Sequence, residues 1–105
     1  MITETFFALP VTDMDRATRF YVALGAVVKA ATPGWTSLLV AGVRVGLYPG
    51  TPGFSGLHFA VDDLGATCAE IERAGGRGGA PFEAAPGLML AVVTDCEGNT
   101  LTLRG

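Results

Sequence analysis

VTDMDRATRFYVALG, residues 11–25, is echoed fifty positions later by VDDLGATCAEIERAG, residues 61–75. Few residues are identical, but the roles agree. In each copy an alternating apolar run (Phe7, Leu9, Val11; Leu57, Phe59, Val61) has the period of a strand with one buried face. An aspartate follows (Asp13, Asp63), and its carboxylate suits the first turn of a helix, where it can accept an otherwise orphaned backbone N–H. Apolar residues then recur at helical spacing: Ala17, Phe20, Tyr21 and Leu24 in the first copy, Leu64, Cys68 and Ile71 in the second. A glycine closes each helix (Gly25, Gly75), as the left-handed residue after a helix requires. Each copy is a β-α unit.

Beyond each helix the helical period stops and strand patterns take over. Strands are expected at 26–31, 35–41 and 43–48 in the first half, and at 80–83, 88–94 and 100–104 in the second. In the second half DCEGNTLTL, residues 95–103, reads as a tight turn feeding the last strand. Its Gly98 aligns with Gly42, so Val45 falls opposite Leu101, Gly46 opposite Thr102 and Leu47 opposite Leu103. Both halves therefore read β-α-β-β-β. The fold class is α+β: two βαβββ modules, residues 1–48 and 56–105, joined by the Gly/Pro-rich loop 49–55. Neither sheet can bury its second face alone, so both belong to one domain.

The chain of 105 residues is long enough for one core and too short for two independent domains. Its net charge of −3 and its scattered seven basic residues leave no block to follow a phosphate backbone, which argues against nucleic acid. No run approaches the roughly 18 apolar residues a membrane span needs. MITETFF lacks the basic start and apolar stretch of an export signal, so a cytoplasmic location is expected. Cys68 and Cys96 lack metal-binding spacing and read as free thiols of a reducing compartment.

Three segments, VTDMDRATRFYVALG, HFAVDDL and DCEGNTLTL, resemble the recurring motifs of the vicinal oxygen chelate superfamily, which includes glyoxalases, extradiol dioxygenases, fosfomycin-inactivating enzymes and bleomycin-binding proteins. The resemblance covers nearly the whole chain. It implies paired βαβββ modules forming a curled, open mixed sheet around a cavity, with the helices outside. It also implies that the four metal-ligand positions of the enzymes fall here at Phe6, Gly46, Gly56 and Thr102. None of these supplies an imidazole, carboxylate or thiolate, so no metal and no other cofactor is expected. A shifted site using His58 and Glu4, each on the same strand face as one of those positions, would still have too few ligands.

Alternation extends the inward face to Glu4, Ala8, Arg44, Tyr48, His58, Ala60, Thr100 and Arg104. Trp35 and Ser37 lie on a strand apolar on both faces, and its pattern does not fix their side. Ligand-binding candidates are Phe6, Ala8, Trp35, Arg44, Gly46, Tyr48, Gly56, His58, Thr102 and Arg104. Small floor residues, aromatic walls and a few polar groups suit a small-molecule pocket, and the arginines favour a carboxylate, phenolate or quinone-like oxygen. Plainer roles stand beside these. Arg44 and Arg104 can be solvated rim residues, Phe6 and Tyr48 can fill a closed core, and His58 can be a hydrogen-bonded wall residue.

Two functions follow. The first is a metal-free protein that sequesters or carries a small, partly aromatic, possibly anionic molecule, in the manner of resistance-type binders of antibiotics. The second is a metal-independent isomerase, cyclase or lyase with His58 as its catalytic general acid or base, assisted by Arg44 or Tyr48. A homodimer is expected in either case, since a curled sheet leaves open edges for a partner. The loop 49–55 is long enough for the chains to exchange modules.

Overall fold

The computed structural model describes residues 1, 3 and 6–105. The first module contains β1 (Phe7–Val11), α1 (Met14–Ala23), β2 (Val27–Thr32), β3 (Trp35–Val40) and β4 (Val43–Pro49). The second contains β5 (Phe54–Ala60), α2 (Leu64–Arg73), β6 (Phe82–Ala85), β7 (Leu88–Thr94) and β8 (Thr100–Arg104). The strand orders are β1-β4-β3-β2 and β5-β8-β7-β6, the same mixed topology twice. Phe7 pairs with Val45 and Leu9 with Leu47 in one module, Leu57 with Leu101 and Phe59 with Leu103 in the other. The α+β fold of two βαβββ modules is thus present, and the edge strands β1 and β5 abut.

The repeat residues act as their chemistry requires. Asp13 and Asp63 each cap a helix, their Oδ1 atoms accepting the backbone N–H of Arg16 at 3.0 Å and of Ala66 at 2.9 Å. Gly25 and Gly75 take φ of 104° and 100°, where a Cβ would clash with its own backbone. Ala17, Phe20 and Tyr21 of α1 bury against Leu9, Val45 and Leu47, and Ile71 of α2 joins the same core as Leu57, Leu101 and Leu103.

Several strand ends shift by one or two residues from the sequence reading, and two of these shifts have a visible cause. β6 begins at Phe82, not at residue 80, because Pro81 has no N–H to give a ladder. The link between modules shrinks from 49–55 to residues 50–53. Pro49 still sits in register with Val11, and Phe54 already sits in register with Thr100.

The turn between β7 and β8 reaches across to the other module. Asp95 is buried, and its Oδ1 accepts the N–H groups of Glu97 and Asn99, both at 2.9 Å, which closes the turn on itself. Its Oδ2 accepts the Tyr21 hydroxyl at 2.5 Å and the Asn99 amide at 3.0 Å. Burial, then the Asp95 carboxylate, raises the Tyr21 pKa well above the usual phenol range, so the hydroxyl keeps its proton and stays a donor. Asn99 also donates to Pro10 O at 2.8 Å and accepts Gly53 N–H at 3.0 Å. Glu97 finishes the contact at the start of α1. Its Oε2 accepts Thr12 N–H at 2.9 Å and the Thr12 hydroxyl at 2.5 Å, while Oε1 accepts Asp13 N–H at 2.7 Å and pairs with Arg16 at 2.9 Å.

Candidate functional site

The face of the first sheet turned away from α1 carries an aromatic cluster. Ser37 lies in register with Gly46, which settles the phase of β3. The Trp35 indole folds over Gly46, whose missing side chain leaves room for the ring: a Cβ there would overlap three indole atoms. Trp35 stacks nearly parallel to Tyr48, with centroids 6.4 Å apart and planes 14° from parallel, and meets Phe6 edge-on at 5.7 Å. Phe6 and Tyr48 remain 45 % and 37 % exposed, so they are not core filling. Ala8, in register with Gly46, and Arg44, in register with Leu39, are exposed as well. Gly46, expected on the floor of a pocket, is instead covered by Trp35. The ring is half-buried and flanked by the exposed Phe6 and Tyr48.

On the second sheet His58 pairs in register with Thr102, and Ala60 with Arg104. His58 and Arg104 are exposed and Thr102 is half-buried. The register slips between Phe54 and Leu57, a bulge in which Gly56 takes φ of 72°. The bulge puts Gly56 in the left-handed region, so glycine is there for the backbone and not only for space. His58 Nδ1 lies 3.1 Å from Gly56 O. A carbonyl can only accept, so Nδ1 carries the proton and Nε2 of the neutral ring is an acceptor.

A divalent metal does not fit the four aligned positions. Phe6 and the two glycines have no donor atom, and the indole occupies the space beside Gly46. Among the described residues no three His, Cys, Asp or Glu side chains cluster in a way that could hold a metal. Glu4 lies outside the described residues. Cys68 and Cys96 are free thiols. Burial, then Asp95, raises the Cys96 pKa, which is the wrong direction for a nucleophile.

A cleft of about 940 Å³ opens on the opposite, helix side, between the two modules. Of the expected site residues only Gly56 and His58 line it; Phe6, Ala8, Trp35, Arg44, Gly46, Tyr48, Thr102 and Arg104 do not. Alternation told which side chains share a face. It could not tell that β5 is an edge strand whose margin borders a space on the helix side. The cleft is bounded by the end of α1 at Ala23 and Leu24, the β3–β4 turn at Ala41, Asp62 just before α2, and Ala66 and Glu70 along α2. The sequence reading missed all six. The available signal was the turn lengths: Val40 pairs directly with Val43 across a two-residue turn, where the second module has Asp95–Asn99.

Known proteins share this architecture. The Glyoxalase/Bleomycin resistance protein/Dioxygenase superfamily profile matches residues 5–103. TnmS3, an antibiotic binding protein from Streptomyces sp. CB03234, is 28 % identical with a TM-score of 0.72, over 99 % of this chain and 97 % of its own. A bleomycin-binding protein in complex with bleomycin is 20 % identical with a TM-score of 0.72, over 98 % of each chain. The fosfomycin resistance protein FosX from Listeria monocytogenes is 17 % identical with a TM-score of 0.79, over 99 % of this chain and 93 % of its own. The last two establish likeness of fold alone. Among curated proteins none matches in sequence.

Proposed function

The chain belongs to the Glyoxalase/Bleomycin resistance protein/Dioxygenase superfamily, and from that premise we propose that it is a metal-free binder of a flat, partly aromatic small molecule with an anionic or quinone-like oxygen. The observation that carries this is the cluster over Gly46 in which half-buried Trp35 lies between exposed Phe6 and Tyr48. Exposed, mutually braced rings lose little freedom on binding and offer a stacking face to a planar ligand. Arg44 on the same face supplies a planar guanidinium for a carboxylate or phenolate. That TnmS3, 28 % identical over nearly the full length, is an antibiotic binding protein supports binding of a small molecule here.

A second copy of the chain completes the site in this proposal. The sheet faces carrying Tyr48 and Val92 are open, at 37 % and 48 % exposure, and a homodimer would close them against each other. Catalysis by His58 is the weaker reading. Its assistants would be Arg44 or Tyr48, which stand on the other sheet, whereas the cleft beside His58 presents Asp62 and Glu70.

Trp35 is the chain's one tryptophan, so its fluorescence reports on the cluster directly. Titration with aromatic acids, quinones and glycopeptide antibiotics should quench it, with affinity lost in Tyr48→Ala. No quenching and no calorimetric binding tighter than about millimolar across that panel would refute the proposal. Light scattering at micromolar concentration tests the dimer, and elemental analysis tests the absence of bound metal.

A further inference from the structure

The two modules treat one equivalent place in opposite ways. In the first module, the junction of β1 and α1 is filled by the β7–β8 turn, whose Glu97 is held by Thr12, the Asp13 N–H and Arg16. With the repeat's offset of fifty, Thr12 corresponds to Asp62, Asp13 to Asp63 and Arg16 to Ala66. In the second module the facing turn is only Ala41–Gly42, too short to reach that junction, and the cleft is the space left between them. The socket that selects a carboxylate in one module has a carboxylate and a methyl group in place of its hydroxyl and guanidinium in the other.

We propose that this cleft is a second binding site, for a small amphipathic amine whose cationic head lies near Asp62 and whose apolar body lies between α1 and α2. The cleft's volume suits such a molecule. Its described lining includes Asp62, Glu70 and His58 and no lysine or arginine, so the charge it presents is acidic. The C-terminal end of α1, the negative end of the helix, borders it with no basic residue in its last turn. His58 Nε2, left as an acceptor by the Nδ1 contact with Gly56 O, can take an ammonium hydrogen. Exposed Phe7 and Val43, with half-buried Phe59 and Val61, form the apolar walls. This site differs in place and in charge preference from the aromatic face, which holds Arg44.

The test is calorimetry at neutral pH with phenylbutylamine, phenylbutyrate and phenylbutanol, which share one apolar body and differ only in the head group. The amine should bind at one site per chain, at least about tenfold tighter than the acid. Asp62→Asn should erase that preference. Ala23→Phe on α1 and Ala66→Phe on α2, both at exposed positions, should each block binding from a different wall. Trp35 emission should not change on adding the amine, because Trp35 does not line the cleft; failure of aromatic acids at the other face leaves these readouts untouched. Equal affinity of the three probes for the cleft, read as the binding that both phenylalanine variants abolish, overturns the proposal. So does amine binding that survives both phenylalanine variants in folded protein, or that quenches Trp35. Loss of amine binding as protein concentration rises would show a second copy in the cleft and overturn it too.

Discussion

Glu97 Oε1 stands 2.7 Å from the backbone nitrogen of Asp13, a contact that ties the last turn of the second module to the first helix of the first. Burial by itself would raise this carboxyl's pKa. The Thr12 hydroxyl and N–H, then Arg16 and the Asp13 N–H, outweigh that and hold it at about 2, down from 4.5. The folded state therefore favours the ionised form. The stabilisation is complete above pH 4.5 and is lost as the pH falls from there to about 2. Allowing for screening, it is on the order of 1–2 kcal/mol. Glu97→Gln should lower stability by about that much at neutral pH and flatten the acid limb of a denaturation series, the two proteins converging near pH 2. Parallel pH curves for the two would show that Glu97 is not the titrating tie.

The buried end of the same turn depends on the Tyr21 hydroxyl. In Tyr21→Phe, Asp95 Oδ2 keeps the Asn99 amide at 3.0 Å but loses its 2.5 Å donor. Leaving a buried carboxylate short of a donor costs about 1–3 kcal/mol, readable as a lower urea midpoint with unchanged slope. A shift of only a few tenths of a kcal/mol would mean that water replaces the hydroxyl.

Much of this was legible in the chain, and the reasons are local. Asp13 and Asp63, Gly25 and Gly75, and Gly42 and Gly98 announce caps and turns because each requirement involves only neighbouring backbone. The parity of Val45, Leu47, Leu101 and Leu103 announces the core because a strand has period two. Glu97 was not legible as a helix tie, since its partners lie 84 and 85 positions away and no period links them. Nor was the side of Trp35, because WTSLLV is too apolar on both faces to choose one. The cleft escaped because it depends on how two sheets meet and on one turn being too short to fill the gap.

Ala41 shows what that short turn demands. It takes φ of 49° beside Gly42 at 84°, both residues left-handed, as a two-residue hairpin requires. Alanine is strained there and glycine is not. Ala41→Gly should therefore stabilise by roughly 0.5–1 kcal/mol, a rise in Tm of about 2–6 °C in a domain of this size. A fall in Tm would mean that the turn does not hold this conformation in solution.

Gly46 and Gly56 separate two uses of glycine. A Cβ at Gly46 overlaps the Trp35 indole, while one at Gly56 meets only Phe54, at 3.8 Å, but must adopt φ of 72°. Gly46→Ala should thus displace Trp35, costing about 1–3 kcal/mol by overpacking and abolishing the stacking face that a planar ligand would use. Gly56→Ala should cost about 1–2 kcal/mol through the backbone alone. The two mechanisms part in a Trp35→Ala background. There the Gly46 substitution should become nearly neutral, because the ring it collides with is gone, and the Gly56 substitution should cost as much as before. If Gly46→Ala stayed equally destabilising without the indole, glycine would be needed there for some other reason. The placement of Trp35 over Gly46, and the ligand-stacking role built on it, would then be wrong.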